Sequence, residues 1–178
     1  MLRSHRRTAA AALALAAGAL ATVSASALTP RAVTVTAKKI TAAGVGDVKL
    51  GMTYAQLRAK GLVGTIGRGC ELAGPQARAA RLRSPLRGGV DFTQTTPRRA
   101  ATISVTRGAT ARGAGIGATV ARIKQAYPKV VADHSTDATF GLTLYKVPRS
   151  GGGRLQFGVD TTTRKVTIIA VPAIPFCD

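Results

Sequence analysis

LGMTYAQLR, the stretch Leu50–Arg58, has a close counterpart 66 residues later in the numbering, IGATVARIK at Ile116–Lys124. The two stretches share, column by column, an apolar residue, Gly, Thr, Ala, an apolar residue and a basic residue. Similarity at a fixed distance indicates two copies of one small supersecondary unit. The sequence therefore predicts an α+β fold made of two repeated units, each opening with a glycine and a capped helix.

Each of these stretches has the signals of a short helix. Thr53 and Thr119 are expected to be the N-caps, and Gln56, three residues after Thr53, completes a capping box. Gly61 and Pro128 are typical of the positions where helices end. Residues at equal offsets from the caps form one face, which comprises Tyr54, Leu57 and Gly61 in the first helix and Val120, Ile123 and Tyr127 in the second.

After each helix the pattern changes to alternation with glycine-rich turns, which is typical of antiparallel strands. Residues 74–89 are interpreted as a strand interrupted by a loop. The other predicted strands are Val90–Thr93, Ala101–Val105, Val130–Asp133, Phe140–Val147, Leu155–Val159 and Lys165–Val171, with a weaker one at Cys70–Leu72. Helices on one side of such a sheet leave the other side open and partly polar.

The first residues have the pattern of an export signal. Three arginines precede an uncharged run rich in alanine, and Ala25-Ser26-Ala27 supplies the small residues that a signal peptidase requires. An uncleaved anchor is the alternative, but the run is shorter than the roughly 20 apolar residues of a membrane span. We therefore predict a signal peptide at 1–27, an N-terminal tail at 28–43 and helix-plus-strand units at 44–108 and 109–178.

The chain beyond residue 27 is strongly basic. Of the 26 Lys and Arg in the sequence three precede residue 28, and with 7 acidic residues the remainder has a net charge of about +16. Such a surface attracts polyanions without a dedicated site. The alternative is coding bias, because Ala, Gly and Arg are abundant throughout. The sequence has no Trp and few other aromatic residues, which argues against nucleic acid as the partner.

Cys70 and Cys177 are the only cysteines. An even number in an exported chain favours a disulfide between them. Two free thiols or an intermolecular bridge are the alternatives. Neither cysteine belongs to a C-x-x-C motif, so thiol exchange is not expected.

Arginines are concentrated in the middle of the chain and form a candidate site for an anionic partner. The alternative is an ordinary solvated loop in an arginine-rich protein. The candidate residues are Arg78, Arg81, Arg83, Arg87, Arg98 and Arg99.

The sequence offers little material for catalysis. The glycines before the helices do not have the spacing of a nucleotide-binding loop. Beyond the predicted signal the chain has one histidine, His134, and one glutamate, Glu71, which is too few for a clustered metal site. Asp133, His134 and Ser135 are the three residue types of a catalytic triad and are adjacent in sequence. Adjacent residues in an extended chain point to opposite sides, so these three cannot form the hydrogen-bonded relay of such a triad. We therefore expect no enzyme activity, no catalytic residue, no metal and no cofactor.

The motif Leu50-Gly51-Met52-Thr53, with Leu57 four residues later, resembles two known modules. One is the small outer-membrane lipoprotein of the β-barrel assembly machinery, and the other is the tandem module of the β-lactamase inhibitory proteins secreted by Streptomyces. The lead-in from Gly44, Cys70 and the terminal Phe-Cys-Asp are also similar to exported proteins of actinobacteria.

This resemblance implies a helix packed on a four-stranded sheet whose exposed face contacts another protein. The chain departs from the inhibitors in having one cysteine pair across both units instead of one pair in each. The inhibitors' contact residues have no counterparts here, so β-lactamase inhibition is not implied.

The sequence as a whole favours a monomeric, secreted, non-catalytic binding module. It would contact an extracellular or envelope protein through a sheet face or the basic loop. A structural envelope protein held electrostatically to anionic wall polymers is the alternative, in which case the protein would be associated with the cell wall. No span is expected after the signal.

Overall fold

The computed structural model describes residues 36–148 and 154–177. These residues all belong to one unit, 34–178. The predicted signal peptide, the first half of the predicted N-terminal tail and the glycine-rich turn expected between the strands predicted at Phe140–Val147 and Leu155–Val159 lie wholly or mainly outside the described residues. Within the described part, no helix is long and apolar enough to cross a membrane.

Strands are the predominant regular structure of the described residues, as the alternating segments predict. In chain order the strands are β1 Lys38–Thr41, β2 Gly44–Val45, β3 Val48–Lys49, β4 Val63–Arg68, β5 Arg78–Leu82, β6 Arg87–Phe92, β7 Ala100–Arg107, β8 Ala109–Ala111, β9 Ala114–Gly115, β10 Val131–Asp133, β11 Leu142–Val147, β12 Leu155–Asp160 and β13 Val166–Val171.

The strands form two sheets. The large sheet has eight strands in the order β10-β11-β12-β13-β7-β6-β5-β4, and the small sheet has five in the order β3-β2-β1-β8-β9. All neighbours in the large sheet are antiparallel, whereas β1 and β8 of the small sheet are parallel. The last strand of the chain, β13, therefore pairs with β7 at the centre of the large sheet. An α+β fold with adjoining sheets is present.

Two short helices follow the small hairpins. Helix α1 spans Tyr54–Ala59 and α2 spans Val120–Ala126. The Thr53 hydroxyl accepts a hydrogen bond from the Gln56 N–H at 3.2 Å, and the Gln56 side chain accepts one from the Thr53 N–H at 2.9 Å. Thr119 accepts only the bond from the Arg122 N–H, at 3.3 Å.

We expect Thr53→Ala and Thr119→Ala each to lower the free energy of unfolding by about 1 kcal/mol, because each leaves an N–H of the first helical turn without its acceptor. Urea denaturation followed by circular dichroism measures the change. Thr53→Ser and Thr119→Ser are the controls, since serine retains the hydroxyl and should retain most of the stability. Equal losses in the alanine and serine variants would contradict a capping role.

One continuous core lies between the inner face of the large sheet and a second layer made of the helices and the small sheet. Leu57 of α1 and Ile123 of α2 are fully buried in it. Val45 and Val48 contribute from the small sheet, and Phe157 from the large one. This burial provides most of the hydrophobic stabilisation of the fold.

Both hairpin-to-helix connections attach to the large sheet by the same contact. The Gly51 N–H donates to the Ala100 carbonyl at 2.8 Å, and the Gly117 N–H donates to the Val166 carbonyl at 2.8 Å. Ala100 and Val166 begin β7 and β13, the two central strands. Gly51 and Gly117 are 66 positions apart in the sequence, and so are Ala100 and Val166. The repeat itself stays a prediction.

Three local predictions require correction. Cys70–Leu72 does not form a strand, because Ala73 and Gly74 donate back to the carbonyls of Cys70 and Glu71 and close a 3-10 helix at Glu71–Ala73. Phe140 does not begin β11, since it ends helix α3, Asp137–Phe140. The edge strand β4 was not among the predicted strands.

Candidate functional site

The large sheet has an inner face in the core and an outer face on the other side. Residues paired across antiparallel strands point to the same side of a sheet. One such row crosses six strands of the outer face, and its members are Lys146, Gln156, Ala170, Ser104, Gly89 and Arg81. This row shows how the two halves of the outer face differ.

Over β11–β13 the outer face is covered by the C-terminal segment, residues 172–177. Ile174 of this segment is buried together with Leu144 and Ala170 of the sheet. The buried side-chain oxygen of Gln156 accepts a hydrogen bond from the Ile174 N–H at 3.0 Å. A Cβ atom at Gly158 would lie 3.1 Å from the Ile174 Cδ1, so a glycine there allows the segment to approach closely.

The predicted disulfide between Cys70 and Cys177 is present and fixes the end of this segment. The two Cα atoms are 5.2 Å apart, and 107 positions separate the residues in sequence. Since Cys70 follows β4, the bridge connects the far edge of the sheet to the chain end that covers β11–β13.

Over β5–β7 the outer face is open to solvent. Ala79, Arg81, Gly89, Asp91, Thr102 and Ser104 define this open face, and none of them is buried. Apart from Arg81 and Asp91 these residues are small, and they are half-buried. The open face can therefore accept the surface of another molecule at close range.

A cavity of about 390 Å³ lies where the open face meets the C-terminal segment. Asp91, Leu72 and Phe176 are among its lining residues. Leu72 is 66% exposed, which is high for a large apolar side chain. Burial raises the pKa of the Asp91 carboxyl above its ordinary value. Within the described residues no basic side chain forms an ion pair with Asp91.

The raised pKa of Asp91 makes stability depend on pH. The unfolded chain releases the proton near the ordinary pKa and the folded chain only at higher pH, so stability falls as pH rises through this interval. We expect Asp91→Asn to be more stable than the parent protein at pH 7, by a fraction of a kcal/mol because the carboxyl is partly exposed. The advantage should disappear near pH 3.

Urea denaturation at both pH values measures this difference, with the exposed Asp47→Asn as the control that keeps the same charge change. A variant that is less stable than the parent at pH 7 would show that the ionised Asp91 is favourable where it lies.

The six predicted arginines do not form one basic loop. Arg78 and Arg81 lie in β5 and Arg87 begins β6, while Arg83, Arg98 and Arg99 lie in connections. The region between Gly74 and Gly89 is a strand, a short turn and the start of a second strand, which agrees with the predicted interruption by a loop.

Four of these arginines donate hydrogen bonds to backbone carbonyls. Arg78 Nη1 donates to the carbonyls of Pro75 and Ala77 at 2.9 and 2.8 Å, and Arg98 Nη1 donates to that of Gln76 at 3.1 Å. Arg78 and Arg98 thus hold the loop that precedes β5.

Arg83 donates to the Val63 carbonyl at 3.3 Å and Arg99 donates to the Gly51 carbonyl at 3.0 Å. By contrast, the side chains of Arg81 and Arg87 have no hydrogen bond or ion pair within the described part of the chain. These two are the most available for a partner, and Arg81 lies on the open face.

The histidine and its acidic neighbours form surface pairs. His134 Nδ1 lies 2.7 Å from a carboxylate oxygen of Asp137, and Lys146 forms an ion pair with Asp133. The hydrogen bond from Lys146 lowers the pKa of Asp133, and that from His134 lowers the pKa of Asp137. Asp133 also accepts the Ser135 N–H. His134 is thus paired with Asp137 and not with Asp133, so the adjacent Asp133, His134 and Ser135 do not form one hydrogen-bonded chain of side chains.

Sequence reasoning predicted an open sheet face but not which residues form it. Small residues such as Ala79 and Gly89 have no distinctive pattern, and only the path of the C-terminal segment shows that they are uncovered. Within the described residues no three His, Cys, Asp or Glu side chains are grouped to hold a metal ion.

A scan against protein-family models finds no match, and neither does a comparison with curated proteins. Among solved structures, the chain is similar to an extracellular protein containing a SCP domain from Bacillus anthracis str. Ames, with 14% identity and a TM-score of 0.46. That similarity covers 69% of this chain and 43% of the other.

Proposed function

We propose that the protein is a secreted, non-catalytic binding module that contacts an extracellular or envelope protein through the open face. The observation that carries the proposal is the difference between the two halves of the outer face. Residues of one row are buried beneath the C-terminal segment over β12–β13 and uncovered over β5–β7. A half-covered face of this kind leaves a sheet surface available to a partner chain.

The composition of the open face fits a protein partner. The exposed Leu72 and the cavity beside Phe176 provide an apolar anchor point at its edge. Arg81 provides a charged group without an internal partner. Protein interfaces are enriched in aromatic residues, methionine and arginine, and Phe176 and Arg81 belong to these classes. A partner with an acidic rim would complement the basic surface and associate faster at low salt.

The disulfide supports export, since such bonds persist mainly in oxidising compartments. The matching contacts of Gly51 and Gly117 support the interpretation of the two halves as copies of one unit. They also fit the proposed relation to tandem binding modules, in which a sheet face contacts another protein.

An envelope protein held only by charge to anionic wall polymers is the second candidate, and the net charge of about +16 after residue 27 favours it. The two proposals differ in where contact occurs. A protein partner needs the shape of the open face, whereas a polymer needs only positive charge.

Replacing Ala79 with arginine separates the two because it adds both bulk and charge to the open face. If the face binds a protein, Ala79→Arg should weaken binding to the surface fraction of the producing organism by about tenfold or more. Ala121→Arg is the matched control, since Ala121 is exposed on α2, away from the face. Binding is measured by saturation at low and high salt.

Polymer binding predicts that both variants bind at least as well as the parent and are released by moderate salt. That result would reject the protein-binding proposal. Loss of binding in both variants would do so as well, because it would show no preference for the open face.

A further inference from the structure

A second cavity, of about 490 Å³, lies beside the small sheet and shares no residue with the open face. It is lined by parts of β1, the β8–β9 turn, the connection after α2, and the facing ends of β11 and β12. Its volume lies within the range of roughly 300–1,000 Å³ that is typical of small-molecule sites.

The floor of this cavity is apolar. Ile40, Val147 and Leu155 are buried, and the half-buried Val130 continues the same surface. Among the described residues that line the cavity, none is acidic. The floor can accommodate a hydrocarbon chain but offers little to a sugar or another strongly polar body.

The mouth is basic. Lys39, Arg112 and Lys129 are exposed there and bring three positive charges to one opening. A concave site with apolar walls strengthens the potential of such charges. The charge and the floor together complement a molecule with one anionic end and one apolar end.

The Arg112 side chain is held in place by contacts with Ala126 and Tyr127. Its guanidinium lies 5.1 Å from the centre of the Tyr127 ring, and its Nη1 donates to the Ala126 carbonyl at 3.4 Å. The carbonyl of Arg112 accepts a bond from Arg122 at 3.3 Å. Because a guanidinium has five N–H donors, others remain for a bidentate contact with a carboxylate.

The backbone at Arg112 is an independent indication that this side chain is needed. Arg112 is the first residue of the two-residue turn between β8 and β9 and has φ +49°. The turn between β2 and β3 has Gly46, with φ +54°, at the same position. Glycine adopts this conformation freely and arginine does so at a cost. A strained residue beside a cavity points to function.

We propose that this cavity binds a small amphipathic carboxylate. The carboxylate would contact the Arg112 guanidinium between Lys39 and Lys129, and the hydrocarbon chain would lie against Ile40, Val130 and Leu155. The proposal is independent of the function assigned to the open face.

Calorimetric titration of the purified protein with octanoate, octan-1-ol and acetate at constant ionic strength tests the proposal. Octanoate should bind saturably. Octan-1-ol has the same chain without the charge, and acetate has the charge without the chain. The affinity of each should therefore be lower than that of octanoate by a factor of about ten or more. Equal binding of acetate, equal binding of octan-1-ol, or no saturation with octanoate would each overturn the proposal.

Arg112→Gly removes the guanidinium and suits the positive φ, so it should weaken octanoate binding by about tenfold and leave thermal stability intact. Arg164→Gly is the matched control, because Arg164 is the other non-glycine residue of the described chain with positive φ, at +57°, and does not line the cavity. Equal octanoate affinity in the two variants would overturn the assignment.

Sedimentation with phosphatidylglycerol vesicles distinguishes a free carboxylate from a lipid surface. The proposal predicts that octanoate competes with any vesicle binding that depends on Arg112. Vesicle binding that depends on Arg112 without measurable octanoate binding would identify a membrane surface as the ligand and would overturn the small-molecule proposal.

Discussion

Removing the disulfide by Cys70→Ser together with Cys177→Ser is expected to lower the free energy of unfolding by about 2–5 kcal/mol. The bond closes a loop with a sequence separation of 107, and a cross-link over such a distance restricts the unfolded chain strongly. It also holds the C-terminal segment over β11–β13. Guanidinium denaturation of the variant and of the parent protein measures the loss.

The reduced parent protein is the control, because reduction breaks the same bond without a substitution and should give the same loss. Limited proteolysis distinguishes local release of the C-terminal segment from unfolding of the whole protein. Ile174 and Phe176 should become more accessible to protease before the sheet unfolds, because without the bridge the segment is held only by non-covalent contacts such as the packing of Ile174 on Leu144 and Ala170 and its hydrogen bond to Gln156. A loss below about 1 kcal/mol would contradict the stabilising role of the bond.

The helices and several strands were predictable because their signals are local. The Thr53–Gln56 spacing predicts a capping box, and that box forms with both hydrogen bonds. Strands β11–β13 were predicted to within two residues at each end because their side chains alternate. Strand β4 lacked such a signal, since it lies at the edge of the sheet, contains Gly64 and Gly67, and buries only Val63.

The candidate sites were less predictable because they depend on distant parts of the chain. Nothing in the sequence near Ala79 or Ser104 indicates that the outer face is uncovered there and covered at Ala170. The availability of the arginines to a partner was likewise not predictable from the local sequence. Composition groups Arg78 with Arg81, but the fold directs Arg78 to the carbonyls of its own loop and leaves Arg81 on the surface.

Leu57→Ala in α1 and Ile123→Ala in α2 are each expected to lower the free energy of unfolding by about 2–5 kcal/mol. Both side chains are fully buried in the same core cluster, so each truncation removes apolar contacts and leaves a cavity. Similar losses at the two positions would support the interpretation of the two halves as copies of one unit. Chemical denaturation at fixed pH gives both values.

The adjacent residues provide matched controls. Arg58 and Lys124 each follow one of these positions in the same helix and are exposed, so Arg58→Ala and Lys124→Ala should change stability by less than about 0.5 kcal/mol. Because helix propensity changes in the same direction in all four variants, a large difference between the buried and exposed positions isolates the packing contribution. If Ile123→Ala behaved like its exposed neighbour while Leu57→Ala did not, α2 would not be anchored as α1 is, and the interpretation of two copies of one unit would fail.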